Sequence, residues 1–495
     1  IIYNNTLFMK SFFNSKYFLL IFTAAILFNC SKAEQLPENI EVHNFIWRGL
    51  NAFYLWQDEV PDLQDDRFSN QSQLNSFLGG FDEPRDLFDE LIVSDKDDFS
   101  FLVEDRDALV NSLQGSSLNN GMEFGLKRYA DNSNNVYGYV RYVIPDSDAA
   151  AKGITRGMIF NTIDGTQITI ANLRDLLNNP SYTVGFANFN AGNPVANGQS
   201  ITLLKTQLTE NPVAIASVIN NGGKNIGYLS YNQFIRNFDG ELNAAFGNFR
   251  AQGVTELIVD LRYNPGGFVS TARHLASMIT GQFTDQLFSR KIWNTKFQEN
   301  FSEENFIDNF TDQIRNTDNN GNIILDEPIN SLNLTKVYFI VTGNSASASE
   351  LVINSLRSYI DVVLVGSTTV GKVFGSVTLF DSDNLLTRTG NNFNTNHTYA
   401  MQPIVSETVN NDGDNAPDGF TPGGLLPGTL LEEDMNNLGI LGDINEPLLA
   451  EALRLINGTL SKRNIKQKTI SKNNIDLYSS KLALPTGNNM YIDLK

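Results

Sequence analysis

Residues 343–350 read GNSASASE, small side chains in alternation ending in a carboxylate, directly after the apolar run KVYFIVT (336–342). The run leads into a helical segment, ASELVINSLRSY (348–359), so Ser345, Ser347 and Ser349 stand at a strand-to-helix corner. A hydroxyl presented there meets backbone amides and a helix dipole that favour developing negative charge. The same residue types also cap helices, so chemistry at this corner depends on finding a base. The chain has only His43, His274 and His397. His43 lies near the N-terminal end, His397 in the Asn-rich NNFNTNHTY, and His274 in an apolar helix where packing accounts for it, so a Ser-His-Asp triad has little support. Lysine remains. Lys372, in GSTTVGKVFGS (366–376), follows the next apolar strand. Desolvation in an apolar pocket disfavours its ammonium, leaving an amine that can take a serine proton. A third element is NPGG (264–267) after IVDLRY, whose glycines let backbone N–H groups approach an anion. No Gly-Lys-Ser/Thr closes it, so it is not a P-loop.

Positioning these loops requires a framework of short apolar strands and helices. Segment 216–460 supplies it: NIGYLSYNQF, ELNAAFGNFRAQG, TELIVDLRYN, STARHLASMI, KVYFIVT, ASELVINSLRSY and DVVLVGSTT alternate strand with helix. That order predicts a parallel or mixed sheet covered on both faces. Residues 283–333, rich in Asp and Asn, read as a surface insertion. Upstream, 40–115 reads as a small helical N-terminal domain, with Ile46, Leu50, Phe53 and Trp56 at helical spacing and acidic loops after it. Segment 118–212 changes period: YGYVRYVIP alternates as a strand, DSDAAAKGI is a short helix, Asp164-Gly165 marks a tight turn, and SITLLKTQL closes it.

AAAKGITRGMIFNTIDGTQI resembles the PDZ family, in which MEFGLKR (122–128) falls at the carboxylate-binding loop. The resemblance implies a peptide-binding site at Phe124, Gly125 and Leu126, with a peptide added to the sheet edge. The bland alternative is a small β-rich spacer. IVDLRYNPGG, GNSASASE and GSTTVGK, in that order, resemble the tail-specific (C-terminal processing) serine proteases over about 118–450. The resemblance implies an α/β fold with a crotonase-like protease core and a Ser-Lys dyad. The nucleophile is then Ser347, the middle serine, and the base is Lys372, 25 positions on. It places the oxyanion hole at the N–H of Ala348 and at Gly266 or Gly267. Many members carry glutamine four residues after the lysine; Ser376 stands there and is the candidate to orient it.

Composition narrows the setting. A net charge of −19 argues against nucleic acid as a partner. One cysteine, Cys30, excludes an intramolecular disulfide or thiolate cluster. It follows Lys10, Lys16 and the apolar run YFLLIFTAAILF, which resembles a bacterial lipoprotein signal spanning 1–30, although Asn29 departs from the usual small residue. The expectation is an exported envelope protein (periplasm or outer membrane), lipid-anchored through Cys30, acting on protein or peptide substrates. Residues 461–495, with seven Lys/Arg against Asp476 and Asp493, read as a solvated basic tail. The Asp-rich turns at 410–419 and 317–322 lack the final glutamate of a calcium loop. No metal or other cofactor is expected. The alternative function is a catalytically silent peptide-binding lipoprotein, or one component of a larger surface complex.

Overall fold

The computed structural model describes residues 37–317, 322–388, 393–458, 476–482, 484, 487 and 490–492; residues 1–30, read above as resembling a lipoprotein signal with Cys30, lie outside them. The centre is a sheet of six strands, in spatial order Val213–Asn221, Lys224–Tyr231, Glu256–Asp260, Lys336–Val341, Asp361–Gly366 and Gly428–Leu430. The first two pair antiparallel as a hairpin and the others are parallel. Every residue of Val337–Val341 is buried, as expected of a strand covered on both faces. The helices Asp239–Ala251, Val269–Thr280 and Ala348–Leu356 follow the strands where the sequence puts them.

A second six-stranded sheet runs Gly267–Phe268, Met490–Tyr491, Phe374–Ser376, Ile404–Val409, Leu287–Trp293 and Ile307–Asn309. The expected surface insertion is therefore corrected over its first part. Leu287–Trp293 is an interior strand paired with both Ile404–Val409 and Ile307–Asn309. Within the described part of 283–333, the Gln313–Thr317 and Ile323–Pro328 hairpin stands apart as a two-stranded sheet.

The N-terminal segment shares its core with these sheets. Helix Glu41–Phe53 buries Phe45, Ile46, Leu50 and Phe53 in one continuous core with Leu257, Val337, Leu379 and Met401. Strand Phe101–Val103 pairs with Ala400–Gln402. So short a segment cannot bury an apolar helix face by itself, and the two six-stranded sheets complete its core.

The 118–212 module keeps its own core, built on Met122, Phe124, Phe160, Ile163 and Val184. MEFGLKR is strand Met122–Arg128 and not a loop. Phe124 and Leu126 point into the module's core, at 4% and 0% exposure, so their side chains are unavailable to a ligand. What the strand offers is its backbone edge, and Tyr478–Ser479 is paired there. Residues 476–482 and 490–492 are thus part of the folded body, which corrects the solvated-tail expectation for this stretch.

Candidate active site

Three parallel neighbours, Glu256–Asp260, Lys336–Val341 and Asp361–Gly366, end on the same edge of the sheet, and each runs into one of the suspected loops. In open α/β sheets, ligands meet the chain outside the carboxyl ends of the strands. The topology therefore brings NPGG, GNSASASE and GSTTVGK together from positions far apart in sequence.

The three serines separate by their partners. Ser345 Oγ donates to Leu261 O at 2.7 Å and accepts from Thr342 N. Ser349 Oγ donates to Asn264 O at 3.0 Å. Both tie the loop to the end of the neighbouring strand. Ser347 Oγ is buried with no hydrogen-bond partner. Ser347 also has φ 62° and ψ −115° at the start of helix Ala348–Leu356. A non-glycine residue held there costs about 1–3 kcal/mol and persists only where the surroundings impose it.

Glu350 imposes it. Its Oε2 accepts from the backbone N–H of Ser347 (2.8 Å) and of Lys372 (2.9 Å). Its Oε1 accepts from Gly371 N (2.6 Å) and Thr369 Oγ1 (2.5 Å). One carboxylate thus hangs the serine and the lysine from the same support. Burial pushes the Glu350 carboxyl up to about 7, against the four donors that favour its charged form. The sequence reading missed this residue, although Ser347-x-x-Glu350 has the spacing of a capping box. Glu350→Gln must turn an amide N–H₂ toward two donors. We expect a loss of about 2–4 kcal/mol, read as a lower urea midpoint, and loss of turnover with it. An unchanged midpoint would show that the carboxylate does not carry this junction.

Lys372 is fully buried. Desolvation holds its amine well below the usual lysine range, opposed by the charges of Asp97 and Glu350. Its Nζ lies 4.3 Å from the centroid of the Phe99 ring. Asp97 and Phe99 come from the N-terminal segment, where Asp97 Oδ1 accepts from Phe99 N and Ser100 N. That segment supplies the wall that keeps water from the lysine, a role no local pattern announced. Ser376, the candidate to orient the lysine, donates instead to Met490 O at 3.3 Å.

At the glycine turn, Asn264 is buried; its Nδ2 donates to Tyr231 O and its Oδ1 accepts from Gly266 N at 2.9 Å. The Gly266 amide is thereby committed, which corrects its place among the oxyanion donors. Gly266 itself packs on Ser347: a Cβ there would lie 2.7 Å from Ser347 Cβ and 3.0 Å from Ala348 N. The Ala348 amide sits in the first helical turn, where N–H groups lack intrahelical acceptors. Gly267 is paired in register with Met490. His274 Nδ1 lies 2.9 Å from Asp239 Oδ2 inside the core, away from these loops. Among the described residues no cluster of three or more His, Cys, Asp or Glu could hold a metal ion.

Residues 225–408 match the model of peptidase family S41, and residues 41–101 match the peptidase S41 N-terminal domain. The carboxyl-terminal-processing protease of Synechocystis sp. is 26% identical over 174 residues, 35% of this chain and 34% of that protein. The enzyme of the same name from Picosynechococcus sp. is 23% identical over 332 residues, 66% of this chain and 71% of that protein. The chain spans about 28% of the CtpA-like serine protease of Staphylococcus epidermidis that it matches at 28% identity. In fold, a crystal structure of a Bacteroides fragilis protein assigned to the S41 proteases superposes with a TM-score of 0.62 at 23% identity. That superposition covers 84% of this chain and 98% of the other.

Proposed function

We propose that this chain, whose residues 41–101 and 225–408 match the models of the peptidase S41 N-terminal domain and of peptidase family S41, is a serine endopeptidase working through Ser347 and Lys372. The observation that carries the reading is the Glu350 carboxylate, which fixes the backbone of both residues while leaving the Ser347 hydroxyl unbonded. The Ser347 oxygen attacks a peptide carbonyl carbon as neutral Lys372 Nζ takes its proton. The lysine returns that proton to the departing amine. Water then attacks the acyl ester, Lys372 again accepting a proton, and the carboxylate product leaves with the serine restored. Amides of Ala348 and Gly267 supply the oxyanion contacts. No metal or other cofactor enters this scheme.

The 118–212 module reads as PDZ-like and the catalytic body as crotonase-like. The module's strand edge would take a substrate segment as an added strand. The proposal also keeps the enzyme in the cell envelope, lipid-anchored at Cys30. The test is cleavage of a reduced, unfolded protein, with the new termini mapped by mass spectrometry. New termini produced by the chain and absent with Ser347→Ala support the reading. Peptide binding without any cleavage would favour the silent binding protein.

A further inference from the structure

The site is closed by the chain itself. Ser347 and Lys372 are both fully buried, so no substrate carbonyl reaches them in this arrangement. The large cleft between module and catalytic body, ≈ 1260 Å³, is lined by Lys127, Tyr139, Asn344 and Asp476 but by neither dyad residue. Lys372 lines a small cavity with Glu350 and Met490.

Residues 476–482 lie along the module's edge strand as a peptide would. Leu477 N donates to Leu126 O (2.8 Å) and Ser480 N to Phe124 O (3.0 Å), while Phe124 N donates to Ser480 Oγ (2.8 Å). The Asp476 carboxylate sits in a built cage. It accepts from Arg141 Nη2 at 2.5 Å, Tyr139 OH at 2.9 Å and Asn344 Nδ2 at 3.1 Å, with Lys127 Nζ 3.1 Å away. Burial works against its charge, yet Arg141 and Lys127 hold the carboxyl below the usual carboxylate range. Asn344 belongs to the GNSASASE loop, so the cage joins module, segment and catalytic loop. Further on, Met490–Tyr491 enters as a strand between Gly267–Phe268 and Gly375–Ser376. Ile492 N donates to Ser376 O at 2.9 Å. This strand occupies the space between the glycine turn and the residues just after the lysine, where an extended substrate would have to pass.

We propose that residues 476–482 and 490–492 are a tethered ligand of this peptide track, shutting the dyad until an extended acidic peptide takes the Arg141–Lys127 cage and displaces them. The closure rests on the peptidase reading of the site; the occupancy of the cage does not. A resident strand reduces the apparent affinity of any competitor by the fraction of time the track is open. The probe is the synthetic nonapeptide NIDLYSSKL, identical to residues 474–482, together with its Asp→Asn form.

Both binding measurements use the full chain carrying Ser347→Ala, so that catalysis plays no part. Fluorescence anisotropy is expected to show the labelled peptide binding at least about tenfold tighter when Asp476→Arg is added, since an arginine facing Arg141 and Lys127 expels the segment. The Asp→Asn peptide should bind more weakly to both proteins. Equal affinity with and without Asp476→Arg overturns the proposal. Hydrogen exchange by mass spectrometry decides without any change at 476: the segment carrying Leu477 and Ser480 should exchange slowly, and faster at saturating peptide. Free-chain exchange rates there, or protection unmoved by bound peptide, also overturn it. With Ser347 present, Asp476→Arg should cleave unfolded protein faster. The binding shift without cleavage in either protein would sustain the tethered ligand and remove the peptidase reading.

Discussion

Ser347→Ala is expected to lower the cleavage rate of an unfolded protein by roughly 10⁴-fold or more, and Lys372→Ala by a similar factor. The double variant should be little worse than either single one, because the two residues act as a unit. The comparison is made in the unsubstituted chain and in the Asp476→Arg background, so that a closed track is not mistaken for a dead dyad. Lys372→Arg discriminates further: it keeps the length and the positive charge but never gives up its proton, so it should be as inactive as alanine. The pH profile follows from the burial of the lysine. The base must be neutral, so activity rises as pH rises through its pKa. Desolvation sets that pKa well below the ordinary lysine value, so the rise comes at lower pH than the deprotonation of an exposed lysine. Glu350, pushed up to about 7, titrates beside it, and the rise that survives in any residual activity of Glu350→Gln belongs to the lysine. Phe99→Ala, which admits water over Nζ, should move the rise to higher pH. A profile unmoved by Phe99→Ala would detach the N-terminal wall from the lysine's basicity.

Gly266→Ala carries the second large effect. Gly266 has φ 112°, a conformation side chains rarely adopt, so alanine costs about 1–3 kcal/mol of strain before any contact is counted. Its Cβ would stand 2.7 Å from Ser347 Cβ and 2.9 Å from Ser347 Oγ. Backbone on one side and a buried serine on the other leave no easy relief. The nucleophile or the turn must shift by a substantial fraction of an ångström, and misplacement on that scale costs about 10²-fold in rate. We expect kcat to fall by about that factor, while the far-ultraviolet circular dichroism is retained and the melting temperature drops by a few degrees. Full activity in Gly266→Ala would show that the turn does not abut the reacting atoms.

The candidate site was largely legible because its parts are local. An apolar run, a hydroxyl corner and a helix start are set by neighbouring residues, and KVYFIVT-GNSASASE contains all three. Strand and helix order through 216–460 was legible for the same reason, since buried strands announce themselves as short apolar runs. Which serine stays free was not: Ser345 and Ser349 lose their hydroxyls to the carbonyls of Leu261 and Asn264, which only the adjacent strand brings near. Glu350 went unnoticed: only its capping-box spacing to Ser347 is local, whereas Gly371 and Lys372, the donors that make it a clamp, arrive from another loop.

The remaining misses share one cause. The packing partners of the N-terminal helix were hidden: its apolar face is visible in sequence, but Leu379 and Met401, which meet it, lie over 300 residues away. Tyr478–Ser479 and Met490–Tyr491 are strands two residues long, too short to show any period, and charge dominated the reading of 461–495. By itself the sequence determined which elements form, and offered a small set of serines with a lysine as their base. Only the tertiary structure decided which edges and carbonyls those elements meet, because hydrogen bonds and apolar contacts between distant segments depend on spatial proximity. That proximity is what leaves Ser347 unbonded, desolvates Lys372 behind Phe99, and pairs Tyr478–Ser479 and Met490–Tyr491 with strands from distant segments.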